Sequence, residues 1–232
     1  MWFLVYATVP FVSDVILGFI FAKRDLHPAL SRYIIAFSSG LVIAAAIFEL
    51  LPEANVERNA LFIGLGFFVF YLVEKSTMLH ACGEQECEVH SLGTLTAIGM
   101  ASDNIVDGLG IAVGYLLDPV LGLIIASAVL AHEIPQALSS TAILKRANRS
   151  WKEIFGMLGF AGAMYPIGAA LSYVVPKELY QPIIAVVAGV FMYVGAGDLL
   201  MESHRRFNWK VILAVLLGGL VMFTLGKFGL GA

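Results

Sequence analysis

Two short runs set polar, metal-competent side chains inside long apolar stretches. The run Ser102-Asp103-Asn104-Ile105-Val106-Asp107-Gly108 holds two carboxylates four residues apart with an amide between them. The run His132-Glu133-Ile134-Pro135-Gln136 holds an imidazole and an amide at the same spacing, with a carboxylate beside the imidazole. Residues three or four apart share one face of a helix. Each run therefore presents a polar stripe: Asp103, Asn104 and Asp107 on one helix, His132 and Gln136 on the other, with Glu133 adjacent. Three carboxylates, an imidazole and two amides in a low dielectric cannot stay ionised and unpaired, so they take up protons or enclose a cation. With three acids, a divalent ion is the economical counter-charge. Carboxylate oxygen with imidazole nitrogen suits zinc, iron(II) or manganese(II) better than calcium, and the lack of thiolate disfavours copper(I). A hydrogen-bonded polar seam between membrane helices accounts for one Asn or Gln. It does not easily account for Asp103, Asp107, His132 and Glu133 together.

The elements that must position these groups follow from composition. The 232 residues are 59% hydrophobic and 13% charged, with a mean hydropathy of +0.87. A soluble domain is about 45–50% apolar and about 25% charged, and a chain this short cannot enclose the excess in one core. The apolar surplus must face lipid. This excludes a soluble enzyme, a disulfide-stapled scaffold (two cysteines) and, with a net charge of −3, a nucleic-acid partner.

A spanning helix needs roughly 20 mostly apolar residues. Eight stretches meet this: 1–22, 29–52, 60–79, 94–117, 120–144, 152–175, 181–201 and 209–228. They use nearly the whole chain, which is read as one all-α membrane domain over 1–232. Asp107 lies about 13 residues into the fourth stretch and His132 about 12 into the fifth. At about 1.5 Å per residue, both come near the bilayer midplane. The joint at Leu117-Asp118-Pro119 admits only an antiparallel hairpin, so the two stripes are expected to meet.

Eleven of the fourteen Lys and Arg residues fall in the odd-numbered loops. By the positive-inside bias those loops are cytoplasmic and both termini lie outside. No basic residue precedes the first apolar run and Lys23-Arg24 follow it, so it reads as a span and not as a cleaved signal peptide. The third loop, 80–91, gathers His80, Cys82, Glu84, Glu86, Cys87, Glu88 and His90. On the reducing side, paired thiols more often bind soft metals than form disulfides; a solvated acidic loop is the equal alternative.

Pro135 frees the carbonyl of Ala131 and Pro166 that of Gly162. Broken backbone at the midplane is tolerated where it lines a cavity or an ion site. Glu49 and Glu53 end the second stretch, and Asp198, Glu202 and His204 the seventh, as acidic mouths or as helix caps. Asp14 in the first stretch has no assignable partner.

With these residues in view, the chain resembles the ZIP (Zrt-, Irt-like) family of divalent metal transporters over nearly all its length. D-N-I-V-D-G is similar to that family's H-N-x-x-D-G, and H-E-I-P-Q to its H-E-x-P-H-E. FSSGLVIAAAIFELLPEA, GFFVFYLVEK and VFMYVGAGDLLMES resemble its second, third and seventh spans. The resemblance implies two inverted three-helix repeats around a central pair formed by the fourth and fifth spans. It also implies metal ligands at Asp103, Asn104, Asp107, His132, Glu133 and Gln136, and movement of metal into the cytosol by alternating access. The chain departs from the pattern at Asp103 and Gln136, where histidine (or, at 136, an acid) is usual. It departs again at Ala137 and Tyr165, where glutamate is common. One good site at Asp103, Asp107 and His132 with Gln136 is therefore expected, beside a poorer position at Asn104 and Glu133. Replacing imidazole by carboxylate at 103 leans selectivity from zinc toward iron(II) or manganese(II). No permanent cofactor is implied. The partners are the transported ion and the bilayer, in a plasma membrane, with a homodimer left open.

Two rivals remain at this point. His132-Glu133 is reminiscent of H-E-x-x-H metalloproteases, but the second imidazole is Gln136. Gly195-Ala196-Gly197-Asp198 matches an aspartyl intramembrane protease motif, yet the preceding stretch offers no partner aspartate. A proton-coupled carrier of an organic solute could use the same acids and imidazole.

Overall fold

The computed structural model describes residues 2–24, 26–82, 89–204 and 207–229, without the side chains of 28, 76–82, 89–96, 146, 228 and 229. Long helices dominate them, in the order α1 (Trp2–Lys23), α2 (Pro28–Ala45), α3 (Val56–Cys82), α4 (Val89–Leu117) and α5 (Pro119–Arg146), then α6, α7 (Tyr180–Met192) and α8 (Trp209–Gly229). Among the described residues there is no strand. The helix α6 is two pieces, Trp151–Gly162 and Met164–Leu171, parted beside Pro166. Seven of the eight rods are long and apolar enough to cross a membrane. The exception, α4, has 29 residues and carries the polar run that lowers its hydropathy, Asp103, Asn104 and Asp107.

Local chemistry fixes the ends. Asp118 caps α5, its Oδ1 accepting from the amides of Val120 at 2.6 Å and Leu121 at 3.1 Å, with Pro119 at the first helical position. Ser150 and Glu153 form a capping box that starts α6. Asn55 and Asn148 make their turns at φ of 50° and 53°, a region Asn tolerates better than most residues.

Each helix shows which face it buries. On α1 the buried positions Phe3, Ala7, Pro10, Asp14, Gly18 and Phe21 recur every three or four residues. Val5, Val9, Val12 and Ile16 face outward. The central apolar core joins α2, α4, α5 and α7 through Val42, Ile111, Ile125, Ile184 and Phe191. The outer faces of α3 (Leu61, Phe68, Leu72) and α8 (Leu213, Leu216, Leu220) stay exposed, as lipid-facing surfaces require.

The α2 and α7 rods share a pattern of matched residues. Gly40, Glu49, Leu50, Leu51 and Glu53 match Gly189, Asp198, Leu199, Leu200 and Glu202 at a constant offset of 149 positions. Both helices continue through a π-helical turn, Ala46–Leu50 and Tyr193–Leu199. Both lie on a partner with backbone nearly touching backbone. Gly40 of α2 sits under the Val215 carbonyl and Gly218 of α8 under that of Phe37; Gly189 of α7 sits under that of Ile63 and Gly66 of α3 under that of Val186. Any side chain at these glycines would strike its partner's main chain.

Candidate metal centre

The hairpin of α4 and α5 brings the two polar stripes together at its middle. One carboxylate oxygen each from Asp103 and Asp107 and a ring nitrogen of His132 lie within 4.8 Å of one another, all three side chains buried. His132 Nε2 is 3.1 Å from Asp107 Oδ2, and Gln136 Nε2 donates to Asp103 Oδ2 at 2.9 Å. Zinc holds its ligand atoms at about 2 Å, so atoms this close need only small side-chain rotations to converge on one ion.

His132 is oriented for that role. Its Nδ1 lies 3.1 Å from the Ala128 carbonyl. A carbonyl only accepts, so Nδ1 carries hydrogen, and a cation bound here would meet the other ring nitrogen, Nε2, on the side of Asp107. The ring also stands edge-on to Phe191, centroids 5.8 Å apart. This second contact fixes its plane.

Beside this group lies another, which the sequence reading only half anticipated. Asn104 and Glu133 face away from the first cluster toward Asp14 of α1 and Tyr165 of α6. Asn104 Nδ2 donates to Asp14 Oδ2 at 3.4 Å, and the Tyr165 hydroxyl donates to Glu133 Oε2. The carboxyls of Asp14 and Glu133 are within hydrogen-bonding reach of each other. Asp14, which had no assignable partner in the sequence, is thus fully buried against the polar centre. The signal that would have found it is the buried stripe of α1, in which it is the one ionisable member.

Six buried side-chain oxygens of the two groups have no hydrogen-bond donor: Asp14 Oδ1, Asp103 Oδ1, Asn104 Oδ1, Asp107 Oδ1, Glu133 Oε1 and Gln136 Oε1. Buried polar atoms are nearly always satisfied. A concentration of acceptors without donors is the pattern a cation satisfies.

The prolines act differently from the reading that both open the backbone to an ion path. The Ala131 carbonyl freed by Pro135 accepts the Ser38 hydroxyl at 2.6 Å, so it pins α5 to α2. At α6 the chain does break, between Gly162 and Met164. The second half of α6 then meets α4 backbone to backbone, with Gly108 under the Tyr165 carbonyl and Gly168 under that of Ile105.

Among the polar residues at the helix ends, Glu49 and His204 have structural contacts of their own. Glu49 is on the first π turn, folded over Gly226 of α8. The His204 Nδ1 lies 3.1 Å from the Leu200 carbonyl, a helix-capping contact. Arg32 Nε donates to the nearby Ser203 carbonyl at 2.7 Å, tying the start of α2 to the end of the α7 rod. Asp198 is exposed on the second π turn. The cysteine-bearing segment 80–91 lies outside the described side chains.

Comparison with known proteins covers most of the chain. The sequence model of one family, ZIP Zinc transporter, matches residues 74–226. The zinc transporter ZupT of Chlorobium chlorochromatii (strain CaD3) is 23% identical over 237 residues, 88% of this chain and 87% of that protein. The zinc transporter ZIP13 of Pongo abelii is 24% identical over 219 residues, covering 84% of this chain and 66% of its own. The zinc transporter ZIP5 of Mus musculus is 30% identical over a shorter 148 residues, 58% of this chain and 27% of its own.

Proposed function

The chain belongs to the ZIP family of metal transporters, and from that premise we propose that it moves zinc into the cytosol by alternating access through the α4–α5 centre. It is an integral membrane protein that transports metal and is not an enzyme. The observation that carries the reading is the convergence of Asp103, Asp107 and His132 within 4.8 Å on two neighbouring buried helices. In this reading those three hold the ion, Gln136 is a weak fourth ligand, and Asn104 and Glu133 flank a second position.

All eight rods span the membrane in the proposed arrangement. At about 1.5 Å per residue, the 29 residues of α4 exceed a hydrocarbon core of about 30 Å. Its charged residues face the protein, as intramembrane acids generally do. The paired glycine contacts of α2 with α8 and of α7 with α3 support two inverted three-helix repeats around α4 and α5. Such repeats rock against a fixed midplane site in many secondary transporters. Lysine and arginine placement supports odd loops in the cytosol and both termini outside, in a plasma membrane.

A hydrated cation enters from outside, exchanges water for the oxygens of Asp103 and Asp107 and for His132 Nε2, and leaves on the cytoplasmic side after the repeats reorient. Carboxylate at 103 in place of imidazole makes the site harder, which extends the cargo toward iron(II) and manganese(II).

Uptake of a divalent-metal panel into proteoliposomes tests this. Wild type is expected to accumulate zinc, with iron(II) and manganese(II) competing, and Asp103→His to shift preference toward zinc. Unchanged uptake in both Asp107→Ala and His132→Ala would show that the site is elsewhere. A proton-coupled organic-solute carrier would gain no thermal stability from zinc.

A further inference from the structure

We propose that Asp14 of α1 is a ligand of the second position that Asn104 and Glu133 flank, and that its carboxylate makes that position favour a hard divalent ion, with manganese(II) as the representative. The proposal rests on the reading of the neighbouring group as a metal site, and goes beyond it by adding the first helix to the ligand set. Sequence reasoning left this position poor because Tyr165 stands where an acid would be needed. The fold supplies an acid from another helix instead.

The donors are all oxygen: the carboxylates of Asp14 and Glu133, the amide oxygen of Asn104 and the hydroxyl of Tyr165. All four residues are fully buried. Asp14 Oδ1, Asn104 Oδ1 and Glu133 Oε1 each lack any hydrogen-bond partner. Two carboxyls in contact in a low dielectric require either a shared proton or a cation between them. A third unpaired oxygen in the same place, the amide oxygen of Asn104, is not answered by one shared proton.

The α6 helix adds to the position. A Cβ at Gly162 would stand 3.0 Å from Asp14 Oδ2, so glycine there lets the backbone of α6 come up against the carboxylate. Pro166 removes the N–H that would take the Gly162 carbonyl in a continuous helix, and the helix breaks there. Oxygen-only donors suit manganese(II), magnesium and calcium, whereas an imidazole suits zinc and iron. The two adjacent positions therefore differ in hardness. They are linked through the neighbouring pairs Asp103-Asn104 and His132-Glu133, and the charge of the second depends on Asp14.

Manganese(II) binding to the purified full chain preloaded with one equivalent of zinc, followed by electron paramagnetic resonance, tests the proposal. Wild type is expected to hold one manganese ion per chain alongside zinc. Asp14→Asn, nearly the same size, should weaken that ion by at least about 100-fold, since even outer partners of a metal site contribute 10–100-fold. Its zinc stoichiometry should stay the same. Adding Tyr165→Glu to Asp14→Asn should restore the manganese, because position 165 already touches Glu133. Wild type without a manganese ion beside zinc, or Asp14→Asn binding it as tightly as wild type, would overturn the proposal. The wild-type count decides by itself if the variant does not fold. Zinc stoichiometry in His132→Ala reports on the first position and manganese in Asp14→Asn on the second, so the two readings fail separately.

Discussion

The two halves of the polar centre are built in opposite ways. Asp103, Asp107, His132 and Gln136 come from consecutive helices joined by one capped turn, and they meet in direct contacts of 2.9 and 3.1 Å. Asp14, Asn104, Glu133 and Tyr165 come from four helices, and Asn104 reaches Asp14 across 90 positions of chain at a looser 3.4 Å. The first half is organised by a hairpin and by the Ala128 carbonyl and Phe191 ring that hold His132. The second depends on how α1 and α6 close around that hairpin. Preorganisation comes from local geometry in one half and from tertiary packing in the other.

The comparison can be broken first at the hairpin. Asp107→Ala removes a ligand of the proposed site and the partner of His132, so zinc affinity should fall by well over about 100-fold, measured by equilibrium zinc binding to purified protein. Lowering pH acts on the same half. A protonated imidazole cannot ligate, so zinc affinity should decline as pH falls from about 7 to about 5, by up to about tenfold per pH unit for each proton displaced. His132→Ala should bind zinc weakly throughout and lose the imidazole part of that dependence.

The packing that serves the second half yields smaller effects. Gly168→Ala forces a methyl group against the Ile105 backbone. Overpacking of this kind costs about 1–3 kcal/mol, which thermal unfolding of the purified protein should register. The same variant should weaken manganese binding beside zinc more than zinc binding, since it displaces Tyr165 relative to α4. Ser38→Ala leaves the Ala131 carbonyl without its hydroxyl donor and should cost about 1 kcal/mol. That loss should appear in thermal stability with zinc stoichiometry unchanged.

Legibility in the sequence followed the same division. Helix positions could be read because the apolar runs are long and joints such as Leu117-Asp118-Pro119 punctuate them, while the early starts of α3 and α4 and the break in α6 were not legible. The α4–α5 half of the centre was legible because spacings of four put residues on one face, and because a short joint permits only an antiparallel return. Asp14 was not legible. One acid on an apolar helix has no local partner, and its neighbours lie far along the chain. The partner of the Ala131 carbonyl freed by Pro135 was not legible for the same reason: Ser38 is 93 positions away. The likeness of α2 and α7 stood in the sequence at a fixed offset, and their matched glycine contacts with α8 and α3 appeared only in the packing.

Sequence alone determined that this protein is built of apolar helices that live in lipid and which two carry the densest polar groups, because hydropathy and helical periodicity are local properties. Tertiary structure alone decided which further oxygens join them, since packing in a membrane is set by close fit between helices distant in the chain. At this site the glycines at 108, 162 and 168 allow that fit, and with it the approach of Asp14 and Tyr165 to Asn104 and Glu133.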